Sequence, residues 1–492
     1  MKIALVVPAH SVEGEKGFYD YRFYSTFLLA KRYISYPLSI PTLAALTPPE
    51  HDVRVFDENV ETIDYSWDAD LAGITVRTMF AERAYAISRA YRKRGTKTVL
   101  GGIHPSMCTA EAAQQCDSVV VGEAEPVWHT LLRDVQQGKL KAIYRSDQVA
   151  DLSACPTPVR SMLARKRYLS DVVQTTKGCP FDCEFCSVHA FDGQRIRNKS
   201  VAQVLQELED IKRSSPRYKT KNAVFFTDDN IIANRRFAGE LFLALRPYNI
   251  NWMCQASMNI STEDELLGLM RDSGCGAVFI GFESTSDDNL ARMHKGINRR
   301  YNYVEAIQRI QSHGILVHGS FVVGYDFDLQ STFDELIGFI QESKLLVPII
   351  NILTPFPGTR LFERLEEEGR ILHTDWCRYD TKHVVFRPTQ MSPEELFEGY
   401  KRIVRAVYSP DAILERLNYY WDMDFWKHPN ETDPVRFKYR LLFALRLCTL
   451  LVSCNVQRSM LSARVLPWVF DRRVRVSSIL AQMAYNDFAY SL

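Results

Sequence analysis

Gln174-Thr-Thr-Lys-Gly-Cys-Pro-Phe-Asp-Cys-Glu-Phe-Cys-Ser-Val-His189 places Cys179, Cys183 and Cys186 in a C-x3-C-x2-C spacing just after a strand-like run, Val172 to Thr176. Such short spacings let three thiolates converge on one face of a cuboidal iron-sulfur cluster and leave its fourth iron without a protein ligand. An iron with an open position is a place to do chemistry. The same residues admit another metal, because Cys183-x2-Cys186-x2-His189 together with Cys179 has the make-up of a Cys3His structural zinc site. Packing alone is a poor explanation for three thiols so close together.

The spacing, with aromatic Phe185 directly before the last cysteine, resembles the cluster motif of the radical S-adenosylmethionine (SAM) superfamily. The resemblance implies a [4Fe-4S] cluster on Cys179, Cys183 and Cys186 whose open iron chelates the amino and carboxylate groups of SAM. It implies reductive cleavage of SAM to a 5'-deoxyadenosyl radical, which takes hydrogen from an unactivated carbon. An external electron donor such as a flavodoxin or ferredoxin goes with that chemistry.

At 492 residues the chain suits about three domains of ordinary size. Sixty Lys and Arg against 59 Asp and Glu leave no global basic field, so nucleic acid is not expected as a partner. Eleven cysteines spread through a chain whose Lys2 leads straight into an apolar run point to a reducing cytoplasm. No uncharged apolar stretch reaches the length of a membrane span.

From the N-terminus, apolar runs at Ile3 to Val7, Val53 to Phe56, Leu71 to Val76, Thr98 to Leu100 and Ser118 to Val121 alternate with helix-length segments. That rhythm predicts a five-stranded, doubly wound parallel α/β domain. Ligands of such sheets bind outside the carboxyl ends of the strands. Tyr36-Pro-Leu-Ser-Ile-Pro-Thr-Leu-Ala-Ala-Leu46, Leu100-Gly-Gly-Ile-His-Pro105 and Val121-Gly-Glu-Ala-Glu125 together resemble the Rossmann-like cobalamin-binding domain that precedes the radical domain in one large subfamily. The resemblance implies corrinoid contacts at Thr75, Gly101, Gly102, Gly122 and Glu123. The Asp-x-His-x-x-Gly motif that supplies an axial histidine in other cobalamin proteins is absent around His10, so no histidine ligand to cobalt is expected. His10 and His104 read as turn or surface residues.

A Pro-bearing linker follows, and then runs at Val172 to Thr176, Ala223 to Thr227, Asn251 to Ala256, Ala277 to Phe282, Leu316 to Val323 and Pro348 to Leu353. Six βα units match the partial (β/α)6 TIM-like barrel of the superfamily, where chemistry gathers at strand C-termini. The resemblance implies SAM contacts at Phe185, at Thr227 and Asp228 in Thr227-Asp-Asp-Asn230, at Glu283 in Gly281-Phe-Glu-Ser284, and at Gly324. The Asp-rich segment also reads as a helix-capping turn. Gln255 and Ser257 face cofactor or substrate, or else form a satisfied strand-end pair.

Ser392-Pro-Glu-Glu395 carries a capping signature for a helix to about Tyr408, and Ser409-Pro-Asp411 starts another. The domains expected are therefore 1–145 (cobalamin), 146–167 (linker), 168–360 (radical SAM barrel) and 361–492 (helical). Between Arg436 and Arg475 nine basic residues and one acid, Asp471, are interleaved with apolar ones. That composition fits peripheral contact with a membrane headgroup region or a solvated docking face. The function expected is cobalamin-dependent methyl transfer to an unactivated carbon of a lipid or polycyclic small molecule. Hopanoid-lipid methylases of the subfamily suggest that substrate class. Within the same architecture stand radical cyclisation, rearrangement or oxidation without methyl transfer. Outside it stands a non-enzymatic corrinoid- or zinc-binding module.

Overall fold

A computed structural model of the chain describes residues 1–9, 33–214, 223–423, 425, 437–451, 456–470 and 476–492. The described residues form two compact units. The first takes 1–9, 33–214 and 354–380; the second takes 223–353 and the residues described from 381 onward. His10, Arg436 and the Asp471 to Arg475 run lie outside the described residues.

In the first unit β1 (Lys2–Val7), β2 (Asp52–Asp57), β3 (Leu71–Thr75), β4 (Lys97–Gly101), β5 (Ser118–Val121) and β6 (Ile143–Arg145) make one parallel sheet, ordered β2-β1-β3-β4-β5-β6. Continuous apolar runs suit strands covered on both faces, and Ile3, Leu5, Leu71 and Val119 have no exposure. Pairing sets Ile3 beside both Val53 and Leu71, so the strand order reverses between β1 and β3. The buried Trp128 ring is satisfied: its Nε1 donates to Thr47 Oγ1 at 2.9 Å. The sheet has six strands where the sequence pattern predicts five. In β6 only Tyr144 is buried, between exposed Ile143 and Arg145, so this edge strand carries no apolar run to read.

The segment after β6 is anchored rather than loose. Arg160 is fully buried and donates to Glu207 Oε2 at 2.6 Å and to the Val172 carbonyl at 2.7 Å, while its Nε lies 3.0 Å from Tyr36 Oη. The expected strand Val172 to Thr176 divides into β7 (Asp171–Val173) and β8 (Thr176–Lys177). β8 then forms a short antiparallel hairpin with β9 (Arg197–Asn198), and the three cysteines lie in its loop.

The second unit is built on parallel strands β10 (Ala223–Phe226), β11 (Asn251–Gln255), β12 (Cys275–Glu283), β13 (Leu316–Val323) and β14 (Val347–Ile352), adjacent in sequence order. Side-chain caps start the connecting helices: Asn234 accepts from Phe237 N–H, and Asn302 from Val304 and Glu305 N–H. The capping box at Ser392 is present, with Ser392 N–H to Glu395 Oε2 at 2.7 Å and Glu395 N–H to Ser392 Oγ at 3.1 Å. It opens the helix Pro393–Val407, and Ser409 caps Pro410–Asp422. Further helices cover Phe437–Leu450, Val456–Val465 and Val476–Ala489. No helix among the described residues is long and apolar enough to cross a membrane.

Candidate active site

Two strand-loop systems of the first unit carry the cysteine and the glycine candidates. The cysteine loop begins at Gly178, whose φ of +90° favours glycine and whose absent Cβ would stand 2.5 Å from the Arg195 carbonyl oxygen. Cys179 N–H donates to the Gly193 carbonyl at 3.2 Å and Cys186 N–H to that of Cys183 at 3.2 Å, so the loop is cross-tied within itself. Cys183 is buried, Cys179, Phe185 and Cys186 are half-buried, and none of the cysteines is in a disulfide. On its far side the loop meets the helix Arg360–Glu367: Arg364 Nε donates to Glu184 Oε1 at 2.7 Å, Leu361 N–H to the Glu184 carbonyl at 3.1 Å, and Arg360 pairs with Asp182 at 2.8 Å. His189 Nε2 lies 3.7 Å from Asp182 Oδ1, while its buried Nδ1 has no hydrogen-bond partner. Three thiols on one tied loop, with His189 on the short helix Ser187–Phe191 that follows, are a donor set whose chemistry suits a metal group.

The base of this loop is closed by charge. Lys177 Nζ donates to Glu123 Oε1 at 2.8 Å and to Glu125 Oε1 at 3.1 Å. Arg197 Nη1 reaches both oxygens of Glu123, at 3.0 and 2.8 Å. Burial alone would lift the Glu123 carboxyl, but Lys177 and Arg197 outweigh it and hold it below the ordinary glutamate value. Sequence reasoning assigns Glu123 to the corrinoid; in the structure its carboxylate is committed to the cysteine hairpin.

The other residues expected to meet a corrinoid stand at adjacent strand ends. Thr75 ends β3, and the next residue, Val76, donates its N–H to the Gly101 carbonyl at 2.8 Å. Gly102 has φ +105°, and a Cβ there would stand 2.9 Å from the Val76 carbonyl oxygen, so no larger residue passes over this neighbour. Gly122, at φ +79°, donates its N–H to Ser106 Oγ at 2.9 Å and faces open space where a Cβ would be. Thr75, Gly101, Gly102 and Gly122, all half-buried, thus form a low-relief rim along β3, β4 and β5 that fits a flat ligand. His104 is not a surface residue. Its ring is fully buried, with Nε2 3.0 Å from Tyr85 Oη and 3.6 Å from Glu111 Oε1, and it lies edge-on to Trp376.

That buried group was not legible in the sequence. Glu111 also accepts from Tyr85 Oη at 2.7 Å and from Trp376 Nε1 at 3.1 and 3.0 Å. His104, 3.6 Å away, together with the hydrogen bonds from Tyr85 and Trp376, holds the Glu111 carboxyl down at about 2. Donor atoms of His104, Cys108 and Glu111 lie within 4.8 Å of one another, as do those of Glu82, Asp375 and Cys377. Hydrogen bonds already occupy the central members of both sets, including Cys377 Sγ to Asp375 Oδ1 at 2.8 Å. The residues after β14 pack here too, because Gly358, at φ +76°, meets Met107 where a Cβ would stand.

Thr227, Asp228, Glu283 and Gly324 all stand at strand ends of the second unit. Asp228 is fully buried, and Gln255 Nε2 donates to its carbonyl at 3.4 Å. Asn230 and Ser257 bond each other through two contacts, 3.1 and 3.2 Å, so Gln255 and Ser257 are each bonded to the segment after β10 rather than to one another. Glu283 is buried in left-handed backbone, φ +66°, with Lys295 Nζ 3.1 Å from Oε1. Asn298 Nδ2 donates to the Gly281 and Phe282 carbonyls at 2.8 and 3.0 Å, and Tyr303 Oη to those of Phe282 and Ser284 at 3.1 and 3.2 Å, which fixes the turn. The Gly324 N–H is taken by Asp328 Oδ2 at 2.7 Å. Burial first, against three hydrogen bonds, pushes the Asp328 carboxyl up to about 6.

In the C-terminal helices the described arginines are engaged. Arg440 is buried against the Val469 carbonyl at 2.5 Å, Arg458 pairs with Asp487, and Arg464 with Asp411. Exposed apolar side chains remain, among them Leu441, Leu445, Val456 and Met460.

Residues 173–340 match the radical SAM superfamily and 359–486 match a domain of unknown function (DUF4070). Bacteriochlorophyllide d C-12(1)-methyltransferase of Chlorobaculum tepidum is 33% identical over 404 residues, covering 80% of this chain and 88% of that protein. Hopanoid C-2 methylase of Rhodopseudomonas palustris is 28% identical over 78% of this chain and 73% of that protein. In fold the chain is similar to the cobalamin-dependent SAM radical enzyme OxsB with aqua-cobalamin and SAM bound, at a TM-score of 0.63 and 14% identity, covering all of this chain and 79% of that one.

Proposed function

This chain belongs to the radical SAM superfamily and to the family of the bacteriochlorophyllide d C-12(1)-methyltransferase, and on that premise we propose that it is a cobalamin-dependent enzyme methylating an unactivated carbon of a polycyclic or lipid small molecule. The observation that carries this reading is the tied three-cysteine loop occurring in one unit with the glycine rim. When bound, a [4Fe-4S] cluster with SAM supplies a carbon radical able to remove hydrogen from an unactivated C–H, and a corrinoid supplies the methyl group.

The chain's own residues hold and orient these groups. Cys179, Cys183 and Cys186 are the cluster ligands, with Phe185 beside them. Thr227, Asp228, Glu283 and the Gly324 carbonyl receive SAM; carboxylates suit its ammonium and ribose hydroxyls. Thr75, Gly101, Gly102 and Gly122 carry the flat face of the corrinoid. His104, buried in its network with Tyr85 and Glu111, supports the rim without ligating cobalt. In functional terms 1–145 serve the corrinoid, 146–167 connect, 168–360 serve the cluster and SAM, and 361–492 shape the substrate side, boundaries that the compact units cut across. An external reductant of flavodoxin or ferredoxin type delivers the electron. Peripheral contact with a lipid surface runs through the exposed Leu441, Leu445, Val456 and Met460. Anaerobic reconstitution with iron, sulfide and hydroxocobalamin tests the reading. A [4Fe-4S] absorption, a retained corrinoid and SAM cleavage under strong reductant are expected; the absence of cluster or of cleavage contradicts it.

A further inference from the structure

We infer that Glu123 is a positioning residue for the cysteine loop, its carboxylate closing the loop's base by neutralising two cations that the hairpin sets face to face. β8 and β9 pair with Lys177 directly opposite Arg197. Like charges across a strand pair are destabilising. Here the side chains are only 14% and 9% exposed, so water screens their repulsion weakly. Strands of two residues offer little ladder to resist it. Glu123 Oε1 stands between the two, 2.8 Å from Lys177 Nζ and 3.0 Å from Arg197 Nη1. Its Oε2 takes a second contact from Arg197 at 2.8 Å and the Ala150 N–H at 2.6 Å. Arg197 Nη1 returns to the Ala150 carbonyl at 2.9 Å, which completes the ring.

The chain leaves for the cysteines through Lys177 and comes back through Arg197, with Cys179 two residues past the first. Removing the charge between them leaves Lys177 with Glu125, at 3.1 Å, and Arg197 with Asp192, at 3.9 Å, as the remaining carboxylates among the described residues, and the loop loosens at its base. Glu123 lies 54 residues from Lys177 and 74 from Arg197. The tip after β5 and the cysteine loop are therefore one mechanical piece. What the loop holds rests on the proposed function; how it is closed does not.

The test compares the full-length wild type, Glu123→Gln and Glu123→Gln/Lys177→Gln. Hydrogen exchange of the 178–196 peptides is measured without iron; iron content and cobalamin retention are measured after anaerobic reconstitution. Glu123→Gln is expected to speed exchange at the Cys179 amide by about tenfold or more. Bound iron should fall by about fivefold, with cobalamin retention within about twofold of wild type. The second substitution removes one opposed cation and is expected to bring exchange and iron back to within about threefold of wild type. Unchanged exchange and iron in Glu123→Gln overturn the inference. So does loss of cobalamin with the loop still protected, which makes Glu123 a corrinoid residue. If Glu123→Gln does not fold, the double variant must fold and hold iron, and its failure to do so counts equally against the inference. A wild type that takes up no cluster refutes the proposed function, while the exchange data still decide the closure.

Discussion

Glu123 after β5 and Glu283 at the end of β12 look alike in the sequence, each a glutamate at a parallel strand tip, yet the structure holds them in opposite ways. Glu123 receives two cations and a main-chain N–H from three distant places in the chain, none of them strained. Glu283 has one cation partner among the described residues, Lys295, twelve residues on, and sits in left-handed backbone that costs a non-glycine residue roughly 1–3 kcal/mol. A carboxylate with several firm partners is part of the frame. One held in a strained turn with a single nearby lysine can exchange that partner for a ligand, and strain of this kind persists only where surrounding bonds such as those of Asn298 and Tyr303 enforce it.

The largest effect sets the scale of this contrast. Cys179→Ala should abolish both cluster and SAM cleavage while leaving the fold intact, measured by iron content and product assay; retained cleavage would remove the ligand assignment on which the SAM role of Glu283 depends. Next, Glu283→Gln should weaken SAM binding by about tenfold or more, equivalent to about 1.4 kcal/mol, without lowering Tm. Glu283→Gly should do the same and relieve the backbone. A large drop in Tm in either variant would mean that Glu283 is framework too, and the contrast would collapse.

A smaller effect concerns the buried group at His104. Glu111 is held at about 2, chiefly by the neighbouring His104, against an ordinary 4.5. A carboxyl with a lowered folded value stabilises above its unfolded value and loses that contribution as pH falls through the folded one. The Tm advantage of wild type over Glu111→Gln should therefore be full above about pH 4.5 and fade toward about pH 2. An advantage independent of pH would assign Glu111 a purely steric role. The smallest effect is at Leu445, where Leu445→Glu should reduce flotation with anionic liposomes by about twofold to fivefold and leave SAM cleavage unchanged. Equal flotation of both forms removes the lipid contact from the account.

The sequence was a good guide wherever the signal was local. The cysteine spacing, the capping box at Ser392 with Glu395, the glycines at φ +105° and +79° and the apolar runs of β1, β3 and β5 each sit within a few residues of the feature they produce. It was a poor guide wherever the partner was far along the chain. Nothing near Glu123 announces Lys177 or Arg197, and nothing near His104 announces Trp376, whose segment leaves the second unit after Leu353 and returns at Thr381, with Ile352 N–H bonded to the Thr381 carbonyl at 2.7 Å. In the basic C-terminal stretch composition names no partners: Arg440, Arg458 and Arg464 are engaged by Val469, Asp487 and Asp411, while Arg436 and 471–475 lie outside the described residues. The β6 strand was missed because one buried tyrosine between two exposed residues carries no period.

The central claim is methyl transfer to carbon, and product mass tests it most directly. The reconstituted enzyme, turned over anoxically with methyl-labelled SAM and a polycyclic or lipid extract of the source cells, should yield a product carrying one labelled methyl on carbon per turnover, together with 5'-deoxyadenosine. A product formed with 5'-deoxyadenosine but with no label and no added methyl would contradict it.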